Sequence, residues 1–158
     1  MLITVISYRC ILTLNYFLRT KTSNIDGIGV FTVQEISQDK ELFKIIGKTT
    51  PHATKYTIQV DAGIHLTALD TIVHFNHSCV PNCFIDFKNM VLKPIRNITS
   101  GEELTFHYCT TELELESSFK CNCLASNCLG EIKGFKFLDR SYIDSLRPYL
   151  SPFLSDLL

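Results

Sequence analysis

The sequence has no excess of charge of either sign and no cluster of basic residues. Its 15 Lys and Arg residues offset 16 Asp and Glu residues, giving a formal net charge of -1, and the basic side chains are scattered along the chain. Proteins that bind nucleic acids usually gather Lys and Arg into a patch or stripe. The composition therefore argues against direct contact with nucleic acid.

Long hydrophobic runs are also missing. No stretch approaches the roughly 18 uninterrupted apolar residues of a transmembrane helix, so we expect no membrane association. Arg9 interrupts the apolar run at residues 1–12, and no small-residue cleavage site of a signal peptide follows it. The β-branched content of that run predicts an N-terminal strand. We expect an intracellular protein, nuclear or cytoplasmic.

The chain of 158 residues is long enough for one domain with its own core. Up to about residue 105 it shows short apolar or alternating runs separated by turn residues, which predicts a mainly β fold. Strands are predicted at residues 27–33, 41–48, 56–61, 84–87, 90–95 and 98–106, the fourth and fifth forming a hairpin around 88–89. Helical spacing at residues 138–150 predicts a terminal helix that ends near Pro152.

The cysteines point to a metal. There are seven, an odd number, and three of them lie together in the segment CNCLASNC at residues 121–128. Such close thiols pair poorly with one another, so zinc in a reducing compartment fits better than a disulfide framework. A structural zinc site needs four ligands, so one more must come from elsewhere. The candidates for it are Cys79, Cys83 and Cys109.

Four segments follow in a fixed order: GIGVF at 27–31, FNHSCVPN at 75–82, GEELTFHY at 101–108, and the cysteine tail. From about residue 24 to 135 the chain closely resembles the SET-domain protein lysine methyltransferases with a zinc-binding post-SET tail. The resemblance implies small β-sheets around a knot-like active site, where the second and third segments thread past each other. It divides the chain into a SET domain (1–118), a post-SET segment (119–135) and a helical tail (136–158).

The resemblance also implies the chemistry. The methyl donor is S-adenosylmethionine, and the acceptor is a lysine of a protein or peptide, with a histone as one candidate. Tyr108 holds the position of the tyrosine that orients the acceptor amine, and Phe106 that of the phenylalanine/tyrosine switch, which implies di- or trimethylation. The implied donor-binding residues are Gly27, Ile28, Gly29, Tyr56, Asn76, His77 and Asn122. The implied zinc ligands are Cys79, Cys121, Cys123 and Cys128.

Two positions depart from the family pattern. Ile45 stands where many members have a tyrosine of the active site, and His107 stands where aspartate is usual. We expect His107 to be an exposed histidine without a role. These departures motivate an alternative, a catalytically silent SET fold that binds a partner. A third possibility is a methyltransferase that acts on a small amine or a peptide.

Overall fold

The computed structural model describes residues 17–68 and 71–158, and short strands dominate it. The strands of this part are β1 (Leu18–Thr22), β2 (Ile28–Thr32), β3 (Phe43–Lys44), β4 (Gly47–Thr50), β5 (Thr57–Asp61), β6 (Ile64–Ala68), β7 (Asn76–His77), β8 (Cys83–Asp86), β9 (Val91–Pro94), β10 (Glu103–Phe106), β11 (Phe119–Lys120) and β12 (Glu131–Ile132). The α-helices are α1 (Arg140–Leu146) and α2 (Pro152–Ser155). The mainly β prediction is confirmed, and the strand predicted at residues 1–12 lies outside the described residues.

The sheet that positions the site has the order β1-β2-β10-β7. Strands β1 and β2 form a hairpin, and β10 continues the sheet antiparallel to β2. Strand β7 then lies parallel to β10, with Thr105 opposite Asn76 and Phe106 opposite His77. Parallel neighbours need a long crossover connection, here the β8–β9 region. The second and third sequence segments are therefore side by side.

Two further sheets have the orders β3-β9-β8 and β4-β6-β5, and β11 pairs with β12. The strand predicted at 41–48 is split between them, because β3 pairs with β9 and β4 pairs with β6. Gly47 marks the split: a Cβ there would lie 2.4 Å from the Thr67 carbonyl oxygen, so only glycine allows this approach. The predicted hairpin is confirmed in β8 and β9, with Asp86 opposite Val91.

The main hydrophobic core lies between these sheets. Its completely or almost completely buried side chains include Leu18, Val30, Phe75, Leu92 and Leu104. Strand β10 is buried along Leu104–Phe106, so it runs through the interior rather than along an edge. Residues that follow β10 directly are thereby held on a rigid element.

The C-terminal segment differs from the single helix predicted for residues 138–150. Helix α1 begins after Asp139, whose carboxylate accepts the Tyr142 N–H, and ends at Leu146. Pro148 lies in the following 3-10 turn, because proline has no N–H to continue an α-helix. Pro152 begins α2 instead of ending a helix, with Ser151 as its N-cap. Within the described residues, no helix has the length and apolar character needed to cross a membrane.

Candidate active site and zinc centre

Asn82 is one of the links between the second and third sequence segments. Its amide nitrogen donates to the Glu103 carbonyl oxygen at 2.8 Å, and its amide oxygen accepts the Thr105 N–H at 2.9 Å. Asn82 thus satisfies one C=O group and one N–H group of β10, as a neighbouring strand would do. The predicted threading of the two segments is therefore visible as β7 pairing and Asn82 bridging on the same strand, β10.

Tyr108 follows β10 and is held from two directions. Its hydroxyl donates to the Phe75 carbonyl oxygen at 2.9 Å, and its N–H donates to His77 Nδ1 at 3.2 Å. Its ring packs against Phe106 and Phe119, with centroids 4.9 and 5.9 Å away. Burial raises the pKa of Tyr108, as do nearby carboxylates, so the phenol stays protonated at neutral pH. Phe106 is buried beside it.

Residues 25–29, called here the 25–29 turn, include the predicted donor-binding residues Gly27, Ile28 and Gly29 and are tied to two asparagines. The Asn76 amide contacts the Asp26 carbonyl oxygen at 3.0 Å and the Ile28 carbonyl oxygen at 3.4 Å. The Asn122 amide donates to the Ile25 carbonyl oxygen at 3.2 Å. Gly27 has a positive φ of 44°, which suits glycine. The structure thus gathers these residues, while their role toward the donor stays a prediction.

Glu103 was not recognised from the sequence, yet it connects this turn to β10. Its carboxylate accepts hydrogen bonds from Ser23 and Asn76 at 2.8–2.9 Å. A Cβ at Gly29 would lie 2.1 Å from Glu103 Oε1, so the carboxylate occupies the space that any other residue would fill. The glycine of the turn is therefore required by the approach of Glu103, a reason that no local sequence pattern contains.

Tyr56 lies at the surface, with 53% of its area exposed. The Lys55 ammonium is 4.8 Å from the centroid of its ring. The Tyr56 hydroxyl is the largest cause of the raised pKa of Lys55, and the Asp26 carboxylate contributes too. Within the described residues, no hydrogen bond joins Tyr56 to Asn76 or Asn122.

Four cysteines come together as a candidate zinc centre. The Sγ atoms of Cys79, Cys121, Cys123 and Cys128 all lie within 4.8 Å of one another. Cys79 Sγ is 4.0 Å from the Sγ atoms of both Cys121 and Cys128. A tetrahedral site with metal–sulfur distances of about 2.3 Å has sulfur–sulfur edges of about 3.8 Å. The residues present therefore fit zinc closely.

The surroundings of the four thiols also suit a metal. The Leu129 and Gly130 N–H groups point at the sulfurs of Cys79 and Cys128, at 3.5 and 3.4 Å. Such donors stabilise thiolates, which are the form that binds zinc. Of the rival ligands, Cys83 belongs to the main core, and Cys109 packs beside the cluster without being one of the four grouped thiols. The structure thus selects Cys79 as the fourth member.

Two buried histidines adjoin this centre. His77 Nε2 lies 3.4 Å from Cys79 Sγ. His107 is 1% exposed, so the expectation that it would be an exposed histidine is wrong. Its Nδ1 accepts the Cys109 N–H, and its Nε2 is 3.3 Å from the Tyr142 hydroxyl. Burial lowers the pKa of His107 to about 4 and is the main cause that lowers the pKa of His77 to about 2.

A second buried polar group was missed entirely. Glu112 Oε1 accepts the Gln59 N–H at 2.8 Å and the Thr111 hydroxyl at 3.0 Å, and its Oε2 is 4.0 Å from His65 Nδ1. Burial raises the pKa of Glu112 to about 7. Because Glu112 stands in the alternating segment ELELE, the sequence alone predicts a solvated face there. No local signal distinguishes it from Glu114 and Glu116.

Comparison with known proteins agrees with this geometry. A family model described as SET domain matches residues 27–109, more than half of the chain. Methyltransferase flvH of Aspergillus flavus is 33% identical over 110 residues, which cover 68% of this chain and 61% of that protein. Human histone-lysine N-methyltransferase 2B is 39% identical over 75 residues, which cover 44% of this chain and 3% of that protein. The chain thus spans less than two thirds of these relatives.

Solved structures show the same fold. KRYPTONITE in complex with mCHG DNA and SAH has a TM-score of 0.63 and is 24% identical, with 75% of this chain and 29% of that chain covered. At this identity the likeness concerns the fold alone. It agrees with the family model, which matches residues 27–109. The chain belongs to the SET-domain family.

Proposed function

We propose that the protein is a methyltransferase that transfers a methyl group from S-adenosylmethionine to a lysine side chain of a protein. The observation that carries this proposal is the position of Tyr108. Its phenol is fixed on the Phe75 carbonyl, beside Phe106, where β7 and β10 meet. Curated relatives named as methyltransferases support the reaction, and a structural neighbour solved with SAH supports the donor.

Tyr108 suits the task of orienting an amine. Its hydroxyl proton is donated to the Phe75 carbonyl, so the lone pairs of its oxygen are free to face an acceptor N–H group. A lysine amine has a reference pKa of about 10.4 and attacks only when it is neutral. The buried ring of Phe106 and the partly buried ring of Tyr108 disfavour the charged ammonium and so promote the neutral form. Fixed orientation then lowers the barrier further.

When bound, S-adenosylmethionine supplies a methyl group on a positively charged sulfur, which leaves as a neutral thioether while the amine nitrogen forms the new bond. The residues that would hold it are those around the 25–29 turn, together with Asn76 and Asn122. Asn122 lies between two of the four clustered cysteines. Zinc at this cluster would therefore fix one wall of the donor site.

Phe106 determines the product in this proposal. A phenyl ring has no hydroxyl to hold an unmethylated amine or a water molecule, which leaves room for methyl groups. Di- or trimethylation is therefore expected, and Phe106→Tyr should shift the product toward monomethylation. The acceptor is a lysine of a protein, with histones as candidates because of the names of several relatives. Free cysteines and zinc suit an intracellular location, nuclear or cytoplasmic.

A catalytically silent binding module is the second candidate, and the observation behind it is Ile45. This residue is 4% exposed, and its N–H donates to the Met90 carbonyl oxygen, so it belongs to the core. An aromatic wall that other members place there is absent at this position. A module of this kind would bind zinc and the donor but would not turn over.

Transfer of labelled methyl from S-adenosylmethionine to histones and to a whole-cell protein extract tests the proposal. Tyr108→Phe is the diagnostic variant, and Tyr149→Phe is its control, because Tyr149 packs against Phe84 on the C-terminal side of the molecule. We expect label on lysine that Tyr108→Phe reduces at least 100-fold and Tyr149→Phe leaves unchanged. Donor binding without any label on protein would favour the binding module. Label on added small amines would show that the acceptor is a small amine and not a protein lysine.

A further inference from the structure

His77 lies between the cysteine cluster and Tyr108 and contacts both with its ring nitrogens. Nδ1 is 3.2 Å from the Tyr108 backbone nitrogen, and Nε2 is 3.4 Å from Cys79 Sγ. The ring is 2% exposed, and Cys79 is 5% exposed, so water does not compete for these contacts. One side chain therefore spans the candidate zinc centre and the proposed catalytic tyrosine.

The direction of both hydrogen bonds follows from the donor at one end. A backbone N–H can only donate, so Nδ1 of His77 must be the unprotonated, accepting nitrogen. The ring is then a neutral imidazole that carries one proton on its other nitrogen. That proton is on Nε2 and points at Cys79 Sγ. A thiolate is a good acceptor for it, and a hydrogen bond to a charged acceptor is stronger than a neutral one.

The ring of His77 is also held against rotation. Three aromatic rings meet it edge to face: His107 at 4.6 Å, Tyr108 at 5.3 Å and Phe119 at 5.8 Å between centroids. A displacement of Cys79 Sγ therefore cannot be absorbed by free movement of the imidazole. It must reach the Tyr108 backbone, whose N–H is bound to the opposite edge of the same ring.

We propose that His77 is a positioning residue that couples the metal state of the cysteine cluster to the orientation of Tyr108. The sequence resemblance assigned the backbone of the segment that contains His77 to donor binding, and the His77 side chain contacts Cys79 and Tyr108. The inference deepens the proposed function, because Tyr108 is the residue assigned to orient the acceptor amine. Its test uses the metal and the tyrosine directly, so turnover is not needed to judge it.

The first measurement uses the chain with 3-fluorotyrosine at position 108 and no other change. Its ¹⁹F NMR spectra are recorded with zinc in the cluster and with the larger cadmium ion in the cluster. We expect the Tyr108 resonance to differ between the two metals. Identical Tyr108 resonances would overturn the proposal.

Two variants then break one link each. His77→Asn keeps an acceptor near the Nδ1 position but loses the donor to Cys79, and His77→Gln keeps a donor near Nε2 but loses the acceptor for Tyr108. His65→Gln is the control, because His65 is another buried histidine that lies outside both sites. We expect both His77 variants to lose the metal dependence of the Tyr108 resonance and His65→Gln to retain it.

Zinc affinity separates the two His77 variants. Loss of an outer hydrogen bond to a ligand typically weakens metal binding roughly 10- to 100-fold, which we expect for His77→Asn but not for His77→Gln. The Co²⁺ thiolate charge-transfer band should shift only in His77→Asn. Equal zinc affinity and equal spectra in all variants would overturn the inference. If the Tyr108 resonance depends on the metal but the protein methylates no acceptor, the proposed function is refuted and the coupling through His77 stands.

Discussion

Replacing Glu112 with Gln removes one buried ionisable group and keeps the shape of the side chain. Glu112 is 7% exposed, and its Oε1 accepts hydrogen bonds from the Gln59 N–H and the Thr111 hydroxyl. A glutamine oxygen can accept both. Burial raises the pKa of Glu112 from 4.5 to about 7, so the folded protein favours the protonated form more than the unfolded chain does.

The sign and size of the effect on stability follow from this difference. The proton on Glu112 stabilises the fold fully below pH 4.5, and this contribution is lost as the pH rises through 7. The whole contribution is about 3 kcal/mol, because one pKa unit corresponds to about 1.4 kcal/mol. Between pH 5.5 and 8 about 2 kcal/mol of it is lost. In a domain of this size that equals about 4–8 °C in Tm.

Denaturant unfolding of zinc-loaded wild type and Glu112→Gln at pH 5.5 and 8 measures this loss. We expect the free energy of unfolding of the variant, relative to wild type, to rise by about 2 kcal/mol from pH 5.5 to 8. Taking the difference cancels the titration of the histidines, which both proteins share. The exposed Glu114→Gln is the control and should show no such change. A relative stability of Glu112→Gln that is equal at both pH values would refute the reasoning.

Three further changes follow from contacts at the two sites. Gly29→Ala places a Cβ against Glu103 and breaks its hydrogen bonds to Ser23 and Asn76, so we expect a loss of about 1–3 kcal/mol in unfolding free energy together with weaker donor binding in calorimetry. Tyr142→Phe leaves the Nε2–H group of buried His107 without its acceptor, so we expect the free energy of unfolding in urea to fall by about 1–3 kcal/mol, with an unchanged denaturant slope. Removing zinc with a chelator should lower Tm and weaken donor binding at least 10-fold; equal donor affinity with and without metal would contradict the role given to Asn122.

The parts of the site that could be predicted are those with short-range patterns or unusual side chains. Clustered cysteines allow few arrangements other than a metal site, and Cys79 joins the other three as expected. The segments at 75–82 and 101–108 were expected to thread past each other, and β7 pairs with β10. The first prediction rests on a residue type whose chemistry is hard to satisfy in any other way, and the second rests on the order of the segments.

The parts that could not be predicted depend on partners distant in sequence. Glu112 belongs to the same alternating segment as Glu114, and it is the folding of β5 against it that makes it buried. His107 was expected at the surface, but α1 covers it through Tyr142. The terminal helix predicted over residues 138–150 is present but shorter, because Pro148 interrupts it after α1.

The strand β7 explains how one short segment serves two sites. Successive side chains of a strand point to opposite faces, so Asn76 and His77 face different neighbours. Asn76 points to Glu103 and the 25–29 turn, while His77 points to Cys79 and Tyr108. The two-residue strand therefore separates the proposed donor site from the zinc centre by the thickness of one backbone. A metal-induced shift of Cys79 would move His77 and, through the same backbone, Asn76, so loss of zinc should disturb donor binding and the tyrosine together.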